Sequence, residues 1–153
     1  MKITDFLRPD LVVPELRGRD KLSVLEELTE HLAGRVTGLT RDHLLKVLLD
    51  REALASTAIG EGVAIPHGKL STIDRLSACI GRSPQGVDFK SMDGHPTYIF
   101  VTLVAPEHST GEHLKALARI SRLFKDADFR TRLLAAPDGE EIYRLVASED
   151  AKY

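Results

Sequence analysis

The stretch 97-TYIFVTLVA-105 decides the fold. It carries no charge, is rich in β-branched and aromatic side chains, and ends at Pro106. Apolar residues at nearly every position, rather than every second one, fit a strand covered on both faces. A strand buried on both faces needs a layer on each side, so the flanking sequence has to supply helices.

The flanks do so. Upstream, 20-DKLSVLEELTEHLAG-34 places Leu25, Leu28 and Leu32 at helical spacing, with Asp20 positioned to cap the start and Gly34 to end it. A second helix is expected over 40-TRDHLLKVLLDRE-52, with Thr40 as its N-cap. Downstream, 110-TGEHLKALARISRLFKD-126 predicts a long helix with Thr110 as N-cap, followed by shorter helices in 127–136 and 139–150. Further strands are expected at 63-VAI-65 and 75-RLSACIGRS-83, and 87-VDFKSMDGHPTYIF-100 reads as a hairpin turning at Asp93-Gly94. The alternation of helices and strands predicts an α/β fold with helices packed on a central sheet. Periodicity does not give the strand directions.

The 153 residues suit one domain, residues 1–153, and no repeat or Gly/Ser linker divides them. A formal charge of 21 − 23 = −2 excludes the strong basic field of a nucleic-acid binder. No apolar run is long enough to insert in a membrane. The start, MKITDFLRPD, lacks the apolar core of a secretory leader. Cys79 has no disulfide partner and sits in an apolar run, as a small buried hydrophobe would. A cytoplasmic location is expected.

Three polar residues interrupt apolar patterns. In 60-GEGVAIPHGKL-70 the apolar run stops at Pro66, which fixes its own φ and donates no hydrogen bond, so His67 is expected at a strand end. Gly68 then lets another group approach closely. A neutral imidazole offers a nucleophilic nitrogen at pH 7. Arg51 falls in line with Leu44 and Leu48 at i, i+4 and i+7, and a guanidinium fork suits phosphate oxygens. His113 shares a face with Leu117, Ile120 and Phe124 in the first helical turn, where free N–H groups favour anions. Each has a plain structural reading on its own: a loop histidine, a C-terminal helix cation, a satisfied core histidine. Together they suit a phosphoryl group better than a metal. His108 and His113 are five apart and fall on different helical faces, so no metal is expected.

The residues 51-REALASTAIGEGVAIPHG-68 resemble the histidine-site motif of enzyme IIA domains of the bacterial phosphotransferase system, in the mannitol/fructose/nitrogen-regulatory class. The stretch 111-GEHLKALARISRLFKD-126 resembles the second block of that family. TAIGEGVAIPHGKL, with Lys69 two residues after the histidine, is most similar to the nitrogen-regulatory (PtsN) type. The resemblance implies a single-domain mixed sheet flanked by helices. It implies phosphorylation of His67 at Nε2 by an HPr-like carrier, with the phosphoryl group drawn ultimately from phosphoenolpyruvate and no cofactor. His113 and Arg51 are the implied supporting residues; beside them Gly68, Lys69 and Thr110 are candidate contacts to the phosphoryl group or a partner, with a solvated lysine the alternative for Lys69. The nitrogen branch implies regulation, with IIB, sensor-kinase or potassium-transport proteins as partners. Two alternatives stand beside this: a sugar-uptake enzyme IIA of fructose or mannitol type that passes phosphate to a separate IIB, and a non-phosphorylated binding module.

Overall fold

The Thr97–Pro106 strand, β6 in chain order, carries the other five strands on its two edges or on their neighbours. The computed structural model describes residues 1–153. Along one edge β6 pairs antiparallel with β5 (Ser77–Val87), which pairs in parallel with the short β1 (Val12–Val13). Along its other edge β6 meets β3 (Val63–Ala64) and β4 (His67–Leu70), both parallel to it. The antiparallel β2 (Ala58–Gly60) closes that side beyond β3. The sheet is therefore mixed and six-stranded, within a single α/β domain.

Five helices flank it: α1 (Lys21–Ala33), α2 (Arg41–Leu54), α3 (Thr110–Phe124), α4 (Ala127–Ala135) and α5 (Gly139–Asp150). Adjacent residues of β5 show that the helices occupy both faces. A Cβ on Gly81 would lie 2.9 Å from Leu28 of α1. The next side chain, Arg82, points the opposite way and donates to the carbonyls of Leu133 and Ala136 at the end of α4. Between these layers β6 is buried from Ile99 to Ala105, as its unbroken apolar run requires.

Two expectations are corrected and a third is met. The strand at 63–65 does not stop at the proline: Val63 pairs with Ile99, Ala64 with Phe100, and then His67 with Leu103, all at one offset. The segment is one strand interrupted at Ile65-Pro66, and His67 opens its second half. The expected hairpin is present: β5 and β6 pair antiparallel with Val87 opposite Thr97, and Asp93-Gly94 lies in the connection's turn, closed by the Gly94 N–H on Ser91 O. Thr110 is the first residue of α3, and Ser109 is the N-cap.

Candidate functional site

The break in the β3–β4 strand builds the site. Ile65 donates its N–H sideways to Thr57 O (3.0 Å), and Pro66 has none to give. Pairing resumes when Leu103 N–H donates to Pro66 O (2.9 Å). The Ile65 carbonyl is left free of the ladder, and it accepts a hydrogen bond from His67 Nδ1 at 2.7 Å. A carbonyl only accepts, so Nδ1 carries the proton and Nε2 keeps its lone pair. Proline thus sets the tautomer of the residue that follows it. Burial lowers the His67 pKa, the bond to Ile65 O opposes this, and Arg51 lowers it further. The ring is neutral at pH 7.

Side chains alternate along β4. Gly68 faces α2 so closely that a Cβ there would lie 2.4 Å from Val47 Cγ1. His67 and Lys69 face the start of α3. The ring of His113 meets that of His67 edge-on, with centroids 5.4 Å apart. Lys69 Nζ donates to Thr110 Oγ1 at 3.0 Å. His113 is 5 % exposed, and its Nε2 is buried with no hydrogen-bond partner. Burial first, then the charges of His67 and Lys69, push its pKa down to about 4. An unpartnered buried nitrogen is costly and therefore rare, and it is the kind of group that a ligand satisfies.

The buried stripe of α2 runs Leu44, Leu48, Glu52. Arg51 lies beside that stripe, half-buried, not at its end as the spacing suggested. Its Nη1 donates to Ala55 O (2.8 Å), closing the C-terminus of α2. It also lines an open cleft of about 420 Å³ with Val47, Leu54, His67, Lys69 and His113. The helix-capping reading and the anion reading are both accommodated, because a guanidinium has five N–H donors. Thr110 is not a wall of the cleft; it holds Lys69. Gly68 lines it.

Glu52 was not singled out from sequence. It is buried, pairs with Lys21 Nζ at 2.9 Å, and accepts from the Thr57 N–H (3.1 Å) and hydroxyl. Arg51 and Glu52 thus divide the work: one faces the cleft, the other ties α2 to α1 and to the chain entering β2. The signal was available in the i+8 spacing from Leu44. Cys79 is fully buried, which raises its thiol pKa to about 12 and leaves it inert, as the sequence suggested. No three His, Cys, Asp or Glu side chains converge as a metal-ligand set. No helix is long and apolar enough to cross a membrane.

Residues 5–149 match the sequence profile of the family described as the phosphoenolpyruvate-dependent sugar phosphotransferase system, EIIA 2. A nitrogen regulatory protein of Bradyrhizobium diazoefficiens is 42 % identical over 147 residues, covering 96 % of this chain and 95 % of that protein. The fructose-specific EIIABC component of Bacillus subtilis is 34 % identical over 152 residues, 98 % of this chain and 24 % of that protein. The crystal structure of the nitrogen regulatory protein IIA-Ntr of Neisseria meningitidis superposes with a TM-score of 0.88 at 30 % identity, covering 94 % of this chain and 98 % of that one.

Proposed function

The chain belongs to the EIIA type 2 family of the phosphoenolpyruvate-dependent sugar phosphotransferase system, and on that premise we propose that it is a phosphocarrier whose acceptor is His67 Nε2. The observation that carries this is the hydrogen bond from Nδ1 to Ile65 O, which leaves Nε2 unprotonated. The Nε2 lone pair forms a bond to phosphorus as the bond to the donor's nitrogen breaks, and that electron pair returns to the donor imidazole. Phosphoryl transfer needs alignment and charge neutralisation more than covalent help. Arg51 and Lys69 supply positive charge, and His113 supplies a nitrogen that lacks a partner until oxygens arrive. The phosphoryl group comes ultimately from phosphoenolpyruvate through an HPr-like donor. Exposed Leu54 at the cleft and Leu114 beside His113 offer that donor apolar contact.

Phosphorylation adds roughly −1.5 to −2 of charge at a site on a chain of net −2, so a partner can tell the two forms apart. The similarity to nitrogen regulatory proteins over nearly all their length supports a regulatory role, with sensor kinases or potassium-transport proteins as candidate partners. The similarity to a fructose-specific protein supports the second reading, transfer to a separate IIB. Incubation with phosphoenolpyruvate, enzyme I and an HPr-like carrier should yield an acid-labile, base-stable phosphate that His67→Ala abolishes. Labelling that persists in His67→Ala defeats the assignment. Onward transfer to a purified fructose-type IIB at the rate of its own IIA would favour sugar uptake over regulation.

A further inference from the structure

Beyond Leu70, β4 leaves the sheet and runs as a loop, residues 71–76, into β5. This loop forms one wall of a second cleft, of about 540 Å³. The connection between α1 and α2 forms the other. The two walls are locked together at Gly38, whose φ is +94°: a Cβ there would sit 2.3 Å from Thr72 O. Only glycine fits so tight a left-handed contact.

The lining is basic. Arg8, Arg35 and Arg75 contribute guanidinium groups, against the single carboxylate of Asp74. Arg8 is engaged with Asp10 through two hydrogen bonds and reaches across to Arg35 O at 2.8 Å. Arg35 donates only to a carbonyl, His31 O, so its charge is unpaired. Arg75 meets Asp74 no closer than 3.8 Å, with both side chains largely in water, which leaves it nearly free. Backbone donors add to this. The N–H groups of Thr37, Gly38, Ser71, Thr72, Asp74 and Arg75 have no backbone acceptor within the chain. Thr37, Ser71 and Thr72 bring hydroxyls. Asp10 reports the same field: its hydrogen bond from Arg8 lowers its pKa most, and Arg35 lowers it further.

Guanidinium forks with free amides beside them match phosphate oxygens, and the cleft falls in the size range of small-molecule sites. We propose that this cleft binds a small molecule bearing two or more phosphate groups, at a site separate from His67. The separation is about 13 Å along the extended chain from His67 to Ser71, at roughly 3.3 Å per residue.

The test uses the full unphosphorylated chain, titrated with inorganic pyrophosphate at low salt and followed by calorimetry and by amide NMR. Saturable binding is expected, with shifts centred on Thr37, Gly38 and Ser71 to Arg75. The double variant Arg35→Glu/Arg75→Glu should bind about tenfold more weakly or worse. Both side chains are exposed, so the variant should keep its fold, checked by thermal unfolding. A charge-matched control, Lys125→Glu/Arg144→Glu, lies away from the cleft and should bind as the wild type does. The proposal fails if pyrophosphate does not bind. It fails equally if binding falls as much in the control, which would mean diffuse attraction, or if the shifts centre on His67 and His113.

Discussion

Two buried polar clusters, one around Asp150 and one around His113, are built on opposite terms. Asp150 is 1 % exposed and fully engaged: it accepts from Ile3 N–H (2.7 Å) and from Arg119 Nε (2.6 Å), tying the start of the chain to its end. Its neighbour Glu149 is also buried and pairs with Arg132 (3.3 Å) and Lys152 (3.0 Å). His113 is buried nearly as deeply, yet its Nε2 has no partner and no carboxylate pairs with it. Where the fold only has to hold, every buried charge is engaged, Glu52, Glu149 and Asp150 by cations and Arg82 by backbone carbonyls. At His113 a nitrogen is left open, and the cost of that opening falls on the free protein.

The contrast can be broken from either side. Asp150→Ala strands Arg119 and the Ile3 N–H, and should cost about 3–5 kcal/mol in chemical denaturation. Transfer per folded molecule should be unchanged; a loss there would mean that the two clusters are not independent. His113→Ala should do the reverse. It should slow phosphoryl transfer about 10²-fold, or roughly 2.7 kcal/mol in the barrier, with little loss of stability. Arg51→Ala should slow transfer too, and its lost cap on Ala55 O should cost about 1 kcal/mol of stability.

Acid sharpens the comparison. His113 takes its proton near pH 6.5 when unfolded but only near 4 when folded, so the unfolded chain binds the extra proton between those values. Stability from this group is present above pH 6.5 and is lost as pH falls through the window towards 4. The loss should be about 2 kcal/mol, allowing for solvent in the cleft. His113→Gln should flatten that part of the curve, measured by denaturant midpoints against pH. A smaller effect is expected for Gly68→Ala, whose methyl would press on Val47: about 1–2 kcal/mol by thermal unfolding, provided α2 shifts to admit it.

Much of this was legible in the residues. The unbroken apolar run of 97–105 gave the covered strand, and Asp20 does cap α1 by accepting from the Ser23 N–H. His67, Arg51 and His113 stood out as polar groups interrupting apolar patterns, and the cleft gathers all three. The misreadings share one cause. Pro66 was taken to end a strand, but β6 supplies donors on both sides of the break and the pairing carries on past it. Arg51 was put on the buried stripe, which in fact turns to Glu52 because Lys21 and Thr57 are there to satisfy a carboxylate.

By itself the sequence determined most element types, the covered strand and the polar residues that the cleft gathers, because side-chain period and proline geometry act within a few residues. Only the tertiary structure decided the strand order, the imidazole tautomer set by Ile65 O, and the second cleft where two distant loops touch at Gly38 and Thr72. Those depend on which backbone groups meet across long separations, and no local pattern records that.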